Sequence, residues 1–212
     1  MTNKEKARRI IGLIINLIII GIVIYCVYIF ILRIMNGNKD IKFRYFTNIS
    51  NITVAIVSII HVPYIINTLI TGKEKYHPYL LVFEYVGMAM TTLTFFTILF
   101  TFPMIGLDSA YGKEKIFTHL IVPLLVIFSF LFFEEKIIFP WKYSSLVLAP
   151  IIGYSVAYSI NVVWLKTWPD LYGTNTNGLG YLFALLAISL GYIFAQGLYF
   201  LKKLIIKKVF HQ

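Results

Sequence analysis

The sequence has little charge, one cysteine and none of the short motifs that mark common soluble enzymes. Only 13% of its 212 residues are charged and 59% are hydrophobic, whereas soluble domains carry about 25% charged residues. The single cysteine, Cys26, excludes a disulfide framework and a cysteine-based metal site. No Gly-rich phosphate loop, Walker pattern or Ser-His-Asp order is present. Together these absences indicate a protein that is solvated by lipid.

Six apolar runs follow one another along the chain, separated by short polar connections. Each holds roughly 18–28 residues, and about 20 residues are needed to cross about 30 Å of hydrocarbon. We therefore predict an all-α polytopic integral membrane protein, a six-transmembrane-helix bundle that forms a single domain over residues 1–212. The first run is longer than the core of a signal peptide, so we expect it to be retained as a span. The predicted spans are 10–35, 43–70, 79–104, 116–133, 144–165 and 179–201.

The distribution of basic residues predicts the orientation in the membrane. With the amino terminus inside the cell, the cytoplasmic segments carry 12 of the 19 Lys and Arg residues and the outer segments carry 7, although the stretch from Arg33 to Arg44 opposes this bias. The excess favours both termini in the cytoplasm of a multi-pass protein of the cell membrane. The net charge of +10 is then explained by topology and by anionic lipids, so we predict membrane lipids and no nucleic acid as partners.

The most polar stretch within an apolar run opens the second span. Small polar side chains are costly in a membrane unless they pack inward or have a function. His119 opens the fourth span, which runs in the same direction as the second. Thr47 and His119 are therefore both expected about one helical turn below the outer surface. Five of the seven residues from 47 to 53 are small and polar: Thr47, Asn48, Ser50, Asn51 and Thr53.

A threonine and a histidine at one depth can form a nucleophile and its base. His119 would take the proton of the Thr47 hydroxyl, which would attack an ester carbonyl to give an acyl-enzyme. Free N–H groups at the two helix starts would help to stabilise the oxyanion. We predict that Ser50 and Asn51 contact the substrate, and Asn51 and Asp108 are candidates for orienting His119. A lipid or fatty-acyl ester fits such a site, since burial contributes about 0.8 kcal/mol per CH₂.

Plainer interpretations of the same residues stay open. A threonine in a membrane helix commonly donates to a backbone carbonyl one turn back, and a histidine near the membrane surface is often only a satisfied polar residue. Glu84, toward the cytoplasmic half of the third span, is either a structural hydrogen-bond partner or part of an ion path. The alternative function is a non-enzymatic small membrane transporter or lipid-binding protein. In it Glu84 and a threonine stripe would line a path: Thr94, Thr97 and Thr101.

The sequence predicts no cofactor and no metal site. His61 lies 14 residues beyond Thr47, which is about 21 Å deeper along a helix. A haem held between His61 and His119 would require both at one level, so that arrangement is excluded. The spacing along the chain also offers no third or fourth ligand for zinc.

Three short patches of the sequence resemble a known protein family. They are Phe46–Thr47 followed by Ser50–Asn51, the run His119–Leu120–Ile121–Val122–Pro123 that opens a later span, and the region of Tyr154 and Tyr158. These patches resemble the family of the androgen-induced gene protein and the androgen-dependent regulator of tissue-factor-pathway inhibitor, which includes bacterial membrane proteins. The resemblance implies six spans over most of the chain.

The same resemblance implies a threonine hydrolase that cleaves fatty acid esters of hydroxy fatty acids. It places the catalytic roles on Thr47 and His119. The sequence departs from the bacterial relatives at Ser129–Phe130, where they often have an acidic–aromatic pair. Their Tyr-Pro-rich segment between spans five and six is reduced to Trp168–Pro169–Asp170. These departures leave the identity of the ester open.

Overall fold

A computed structural model describes residues 1–37, 44–73, 78–134, 139–170 and 180–209. Within these ranges the chain is helical along all its apolar runs and contains no β-strand, which confirms the predicted all-α class. Several features singled out in the sequence lie outside the described part, namely the polar turn at 38–40, Lys42, Phe43, Lys75, Lys136 and the side chain of Thr101.

Five of the described helices are long and apolar enough to cross a membrane. They coincide with five of the six apolar runs, and the remaining run, predicted as span four, forms a shorter apolar helix. The number of spans and the orientation therefore remain predictions. In chain order the helices are α1 (Asn3–Met35), α2 (Phe46–Thr71), α3 (Pro78–Ile105), the short α4 (Leu107–Tyr111), α5 (Phe117–Phe133), α6 (Trp141–Trp164) and α7 (Gly180–Val209).

Local sequence signals set the start of α1 and the end of α2. Thr2 caps α1: its hydroxyl accepts from the Glu5 backbone N–H, and the Glu5 carboxylate accepts from the Thr2 backbone N–H at 2.9 Å. This reciprocal pair is a capping box, which satisfies donors that the first turn leaves free. Gly72 ends α2 in the left-handed conformation, with φ of +67°, and donates to the Thr68 carbonyl at 2.9 Å. Glycine is favoured there because it has no Cβ.

Helix α3 forms the centre of the bundle. It packs against α2, α5, α6 and α7, and 61% of its apolar segment is buried, against 22% for α6 and α7. Tyr85 of α3 is fully buried, and its ring centroid lies 5.9 Å from that of Phe130, 5.1 Å from Phe139 and 6.2 Å from Tyr199. The aromatic rings around Tyr85 therefore join α3 to α5, to α7 and to Phe139 in the segment just before α6.

The outer helices present apolar faces to the surroundings. Leu17 and Ile24 on α1 are 51% and 61% exposed, and Leu185 and Ile193 on α7 are 61% and 62% exposed. A helix that satisfies its own backbone hydrogen bonds can expose such a face to hydrocarbon without cost. The exposed surface is therefore compatible with a membrane-embedded chain.

Helix α5 departs from regular α geometry at both ends. Its first turn, Phe117–Ile121, and its last turn, Ser129–Phe133, are π-helical, and Val122–Phe128 between them is α-helical. Single π turns inside helices are rare and are frequent at functional sites. His119 lies in the first π turn, and Glu134 directly follows the second.

The start of α1 and the end of α7 both contact the last turn of α5. Arg8 Nη1 donates a hydrogen bond to the backbone carbonyl oxygen of Glu134. Lys202 Nζ lies 4.0 Å from the centroid of the Phe130 ring. Because Phe130 and Glu134 belong to the same end of α5, both terminal helices bring basic side chains to that end.

Candidate active site

Thr47 lies in the first turn of α2 and is half-buried. Among the described residues its hydroxyl makes no hydrogen bond, whereas the Thr53 hydroxyl donates to the Ile49 carbonyl at 2.9 Å. Thr53 therefore makes the bond that is common for a threonine in a membrane helix, from its hydroxyl to a backbone carbonyl one turn back. For Thr47 the hydroxyl is available to a ligand.

Asn51 joins the first turn of α2 to the start of α5. Its Nδ2 donates to the Thr47 carbonyl at 2.7 Å and to the Thr118 carbonyl at 3.1 Å. The residue is 2% exposed, and its Oδ1 has no hydrogen-bond partner among the described residues. This bridge brings Thr47 near Thr118, the residue that precedes His119. The arrangement is compatible with the predicted common depth of Thr47 and His119.

The ring of His119 is held by a backbone carbonyl of the short helix α4. Nδ1 lies 2.6 Å from the carbonyl oxygen of Ala110, which is fully buried. A carbonyl oxygen only accepts, so Nδ1 carries the proton and Nε2 keeps a lone pair. Sequence reasoning named Asn51 and Asp108 for orienting this ring, but the Ala110 carbonyl holds it. No side-chain pattern signals such a contact.

Ser50 lies at the interface between α2 and α3. It is fully buried, and its hydroxyl donates to the Thr47 carbonyl at 2.8 Å and lies 3.3 Å from Thr94 Oγ1. Its hydrogen-bonding capacity is therefore used within the protein. The predicted role of Ser50 in contacting substrate stays a prediction.

An ion pair fastens α1 to the segment that precedes α5. Arg33 Nη1 donates to Glu114 Oε1, and Arg33 Nη2 donates to Glu114 Oε2 at 2.8 Å. Burial raises the pKa of Glu114, but the hydrogen bonds and charge of Arg33 outweigh it, so the pKa of Glu114 is lower than that of an ordinary glutamate. The bidentate geometry fixes the segment five residues before His119.

Substitution of Glu114 by glutamine is expected to remove an acid-dependent part of the stability. Because the folded chain lowers the pKa of Glu114, the ion pair contributes fully above the ordinary glutamate pKa of about 4.3, and the contribution is lost as pH falls through the folded value. Arg33 is 34% exposed, so we expect about 1 kcal/mol near neutral pH. Unfolding of wild type and Glu114→Gln in mixed micelles is measured at pH 7 and at about pH 2, well below the ordinary glutamate pKa. A difference in unfolding free energy between the two proteins that is the same at both pH values would contradict the prediction.

A polar and aromatic rim joins α6 and the following loop to the start of α2. The Tyr154 hydroxyl donates to the Arg44 carbonyl at 2.8 Å, and the Tyr158 hydroxyl donates to Asp170 Oδ1 at 2.7 Å. The Arg44 guanidinium carbon lies 5.7 Å from the centroid of a Trp168 ring. Both tyrosines belong to the patches that carry the family resemblance. Tyr154 holds the chain three residues before Thr47, and Tyr158 holds the loop after α6.

A small cavity of about 10 Å³ lies between α1 and α2 beside the Asn51 bridge. It has room for about one water molecule and is too small to hold an acyl chain. The lining residues are Val23, Cys26, Val27, Phe30, Asn48, Asn51, Ile52 and Thr118.

Sequence reasoning missed a second polar cluster, about 21 Å farther along α2 than Thr47. His61 of α2, Glu84 of α3 and Glu134 after α5 offer ligand atoms that all lie within 4.8 Å of one another. The spacing along the chain does not reveal this group, because its members come from three separate parts of the fold. A weak signal was present, since the predicted spans place His61 and Glu84 toward the same end of the bundle.

The candidate active site consists of Thr47, the Asn51 bridge, and His119 oriented by Ala110. Among the described residues no hydrogen bond joins Thr47 directly to His119, and Asn51 and Thr118 connect them. The resemblance to the androgen-induced gene protein family stays a prediction that rests on its short patches. No protein-family model, curated protein or solved structure matches this chain.

Proposed function

We propose that this chain is a six-span hydrolase of the cell membrane that cleaves long-chain fatty-acyl esters, with fatty acid esters of hydroxy fatty acids as the first class to test. Thr47 is the nucleophile and His119 is the general base. The Asn51 bridge carries the proposal, because one buried amide binds both the Thr47 carbonyl at 2.7 Å and the Thr118 carbonyl at 3.1 Å. It keeps a hydroxyl without a partner next to the segment that holds an oriented imidazole.

The reaction uses His119 Nε2 in both of its halves. As Thr47 Oγ1 attacks the ester carbonyl carbon, Nε2 takes the hydroxyl proton and a tetrahedral oxyanion forms. Collapse of this intermediate breaks the bond to the alcohol, which leaves with the proton from Nε2. A water molecule then gives a proton to Nε2 and attacks the acyl-threonine. Release of the fatty acid restores the Thr47 hydroxyl.

The geometry around Thr47 supports an oxyanion site and a lipid substrate. The first turn of α2 has no side-chain cap, and the positive end of a helix dipole favours a developing negative charge beside that turn. The acyl chain lies in the bilayer against the apolar faces of the outer helices. Catalytic hydrogen bonds are often long before substrate binds, and Thr47 and His119 then align on the bound ester.

Both termini lie in the cytoplasm in this proposal, and the active site lies in the outer half of the membrane. The convergence of Arg8 and Lys202 near Glu134 supports this orientation, since basic residues concentrate at the cytoplasmic end of membrane proteins. Helix α5 then serves as the short fourth span. Water reaches Thr47 from the outer surface while the acyl chain stays in the bilayer.

Replacement of His119 by alanine tests the proposal. We expect kcat for a long-chain ester of a hydroxy fatty acid to fall by roughly 100-fold to 10,000-fold, because the general base is lost. Wild-type activity should also fall in acid, where a protonated imidazole no longer accepts a proton. The assay uses purified protein in detergent, with mass spectrometry to detect the acyl group on Thr47.

The control is Ser109→Ala, since Ser109 lies on the same short helix as Ala110 and is exposed. Its kcat is expected to match that of wild type. Full activity in His119→Ala would contradict the proposed base. A wild-type protein that hydrolyses no ester would instead support the transporter or lipid-binding alternative.

A further inference from the structure

Three buried side chains from separate helices converge at the end of the bundle away from Thr47. His61 is 2% exposed, Glu84 is 5% exposed and Glu134 is 7% exposed. His61 Nδ1 lies 2.6 Å from Glu84 Oε1, and one ligand atom from each of the three residues lies within 4.8 Å of the other two. Ionisable groups at this depth in a membrane protein are costly to bury and commonly serve a function.

The cluster borders a small cavity of about 10 Å³ between the helices, which has room for about one water molecule or one ion. Glu84, Glu134 and Ser129 contribute to its lining, together with Asn16 and Ser58. Ser129 is 1% exposed, and its hydroxyl has no hydrogen-bond partner among the described residues. A buried polar atom without a hydrogen-bond partner is costly to keep inside a protein. The cavity therefore favours a ligand that interacts with oxygen atoms.

The donor set identifies the class of that ligand. One imidazole nitrogen and two carboxylate oxygens suit first-row divalent cations such as Zn²⁺ and Mn²⁺, whereas Mg²⁺ and Ca²⁺ prefer oxygen ligands alone. An ion about 2.1 Å from each donor holds tetrahedral donors about 3.4 Å apart. That separation lies between the 2.6 Å of His61 and Glu84 and the 4.8 Å limit of the whole set. Small side-chain rotations are enough to reach it.

We propose that His61, Glu84 and Glu134 bind one divalent transition-metal cation inside the bundle. The Ser129 hydroxyl and the cavity leave room for a further oxygen ligand. Arg8 donates to the backbone carbonyl of Glu134, which fixes the chain at the third ligand. Such a site lies apart from Thr47 and does not depend on the proposed hydrolase.

Lys202 competes with the cation for the same two carboxylates. Its side chain is buried, and its charge acts on both Glu84 and Glu134. With a neutral His61, the ammonium and a divalent ion are alternative counterions of the two carboxylates, and binding both at once places excess positive charge in a low-dielectric interior. The flexible lysine side chain yields to the ion by moving away. Removal of this ammonium therefore strengthens metal binding.

Metal binding is measured on the purified full chain after removal of any affinity tag and treatment with chelator. Titration calorimetry with ZnCl₂ and with MnCl₂ is combined with elemental analysis after desalting. We expect one ion per chain, at least roughly 100-fold weaker binding in Glu84→Gln and Glu134→Gln, and at least roughly 10-fold tighter binding in Lys202→Met. Circular dichroism of each variant verifies that it is folded.

The matched control is Glu114→Gln, which removes a carboxylate that pairs with Arg33 at the other end of α5. It is expected to bind the ion as tightly as wild type does. Absence of binding in wild type would overturn the proposal. So would equal binding in Glu84→Gln, which would place the ion elsewhere on the chain. Weaker binding in a folded Lys202→Met protein would show that the cluster requires the ammonium in order to bind the ion. That result would also overturn the proposal.

Discussion

Replacement of Thr47 by alanine is expected to abolish ester hydrolysis in a bundle that stays folded. The hydroxyl makes no hydrogen bond among the described residues, so its removal leaves no buried partner unsatisfied. Asn51 binds the backbone carbonyl of Thr47, which alanine retains. Because the hydroxyl is the proposed nucleophile, kcat should fall by at least roughly 1,000-fold, and Thr47→Ser should keep measurable activity. Initial rates of fatty acid release in detergent measure both variants.

Thr53→Ala is the matched control for this substitution. Thr53 lies on the same helix, and its hydroxyl donates to the Ile49 carbonyl at 2.9 Å, so its loss removes only a bond within α2. We expect activity within about twofold of wild type. Equal losses in the two alanine variants would show that the effect is structural. Wild-type rates in Thr47→Ala would remove Thr47 from the mechanism.

The helices could be predicted from the sequence because apolar runs of membrane length leave the backbone few alternatives. In hydrocarbon every N–H and C=O group must be satisfied within the chain, which selects helices. Gly72 marks the end of α2 both in the sequence and in the structure. The π turns of α5 could not be predicted in this way. Both flanks of Val122–Phe128 are largely apolar, so no polar periodicity shows where the helix widens.

The sequence also predicts a common depth for Thr47 and His119, since the rise of a helix is fixed at about 1.5 Å per residue; the Asn51 bridge between Thr47 and Thr118 is compatible with it. The rotation of each helix could not, because a span that is apolar all round gives little indication of its inward face. For this reason the sequence did not reveal that His61, Glu84 and Glu134 meet. The contact of His119 with Ala110 was hidden for another reason: a backbone carbonyl has no signature in the sequence.

Replacement of Lys202 by methionine is expected to destabilise the metal-free protein more than any surface substitution. The ammonium lies 4.0 Å from the Phe130 ring centroid, and its charge acts on both Glu84 and Glu134. Without it no ammonium remains to balance the charge that is buried at Glu84 and Glu134. Loss of one partner from a buried ionic cluster typically costs about 3–5 kcal/mol. The free energy of unfolding is measured by SDS titration in mixed micelles with chelator present, followed by far-ultraviolet circular dichroism.

Lys203→Met provides the control, because Lys203 is the next residue of α7 and is exposed. Its free energy of unfolding should stay within about 0.5 kcal/mol of wild type. Adding Glu134→Gln to Lys202→Met should restore most of the lost stability, since it removes one of the two carboxylates that the lysine neutralises. Equal losses at positions 202 and 203 would contradict a specific role for the buried ammonium. A double variant as unstable as Lys202→Met would show that packing on Phe130, and not charge balance, keeps Lys202 inside the bundle.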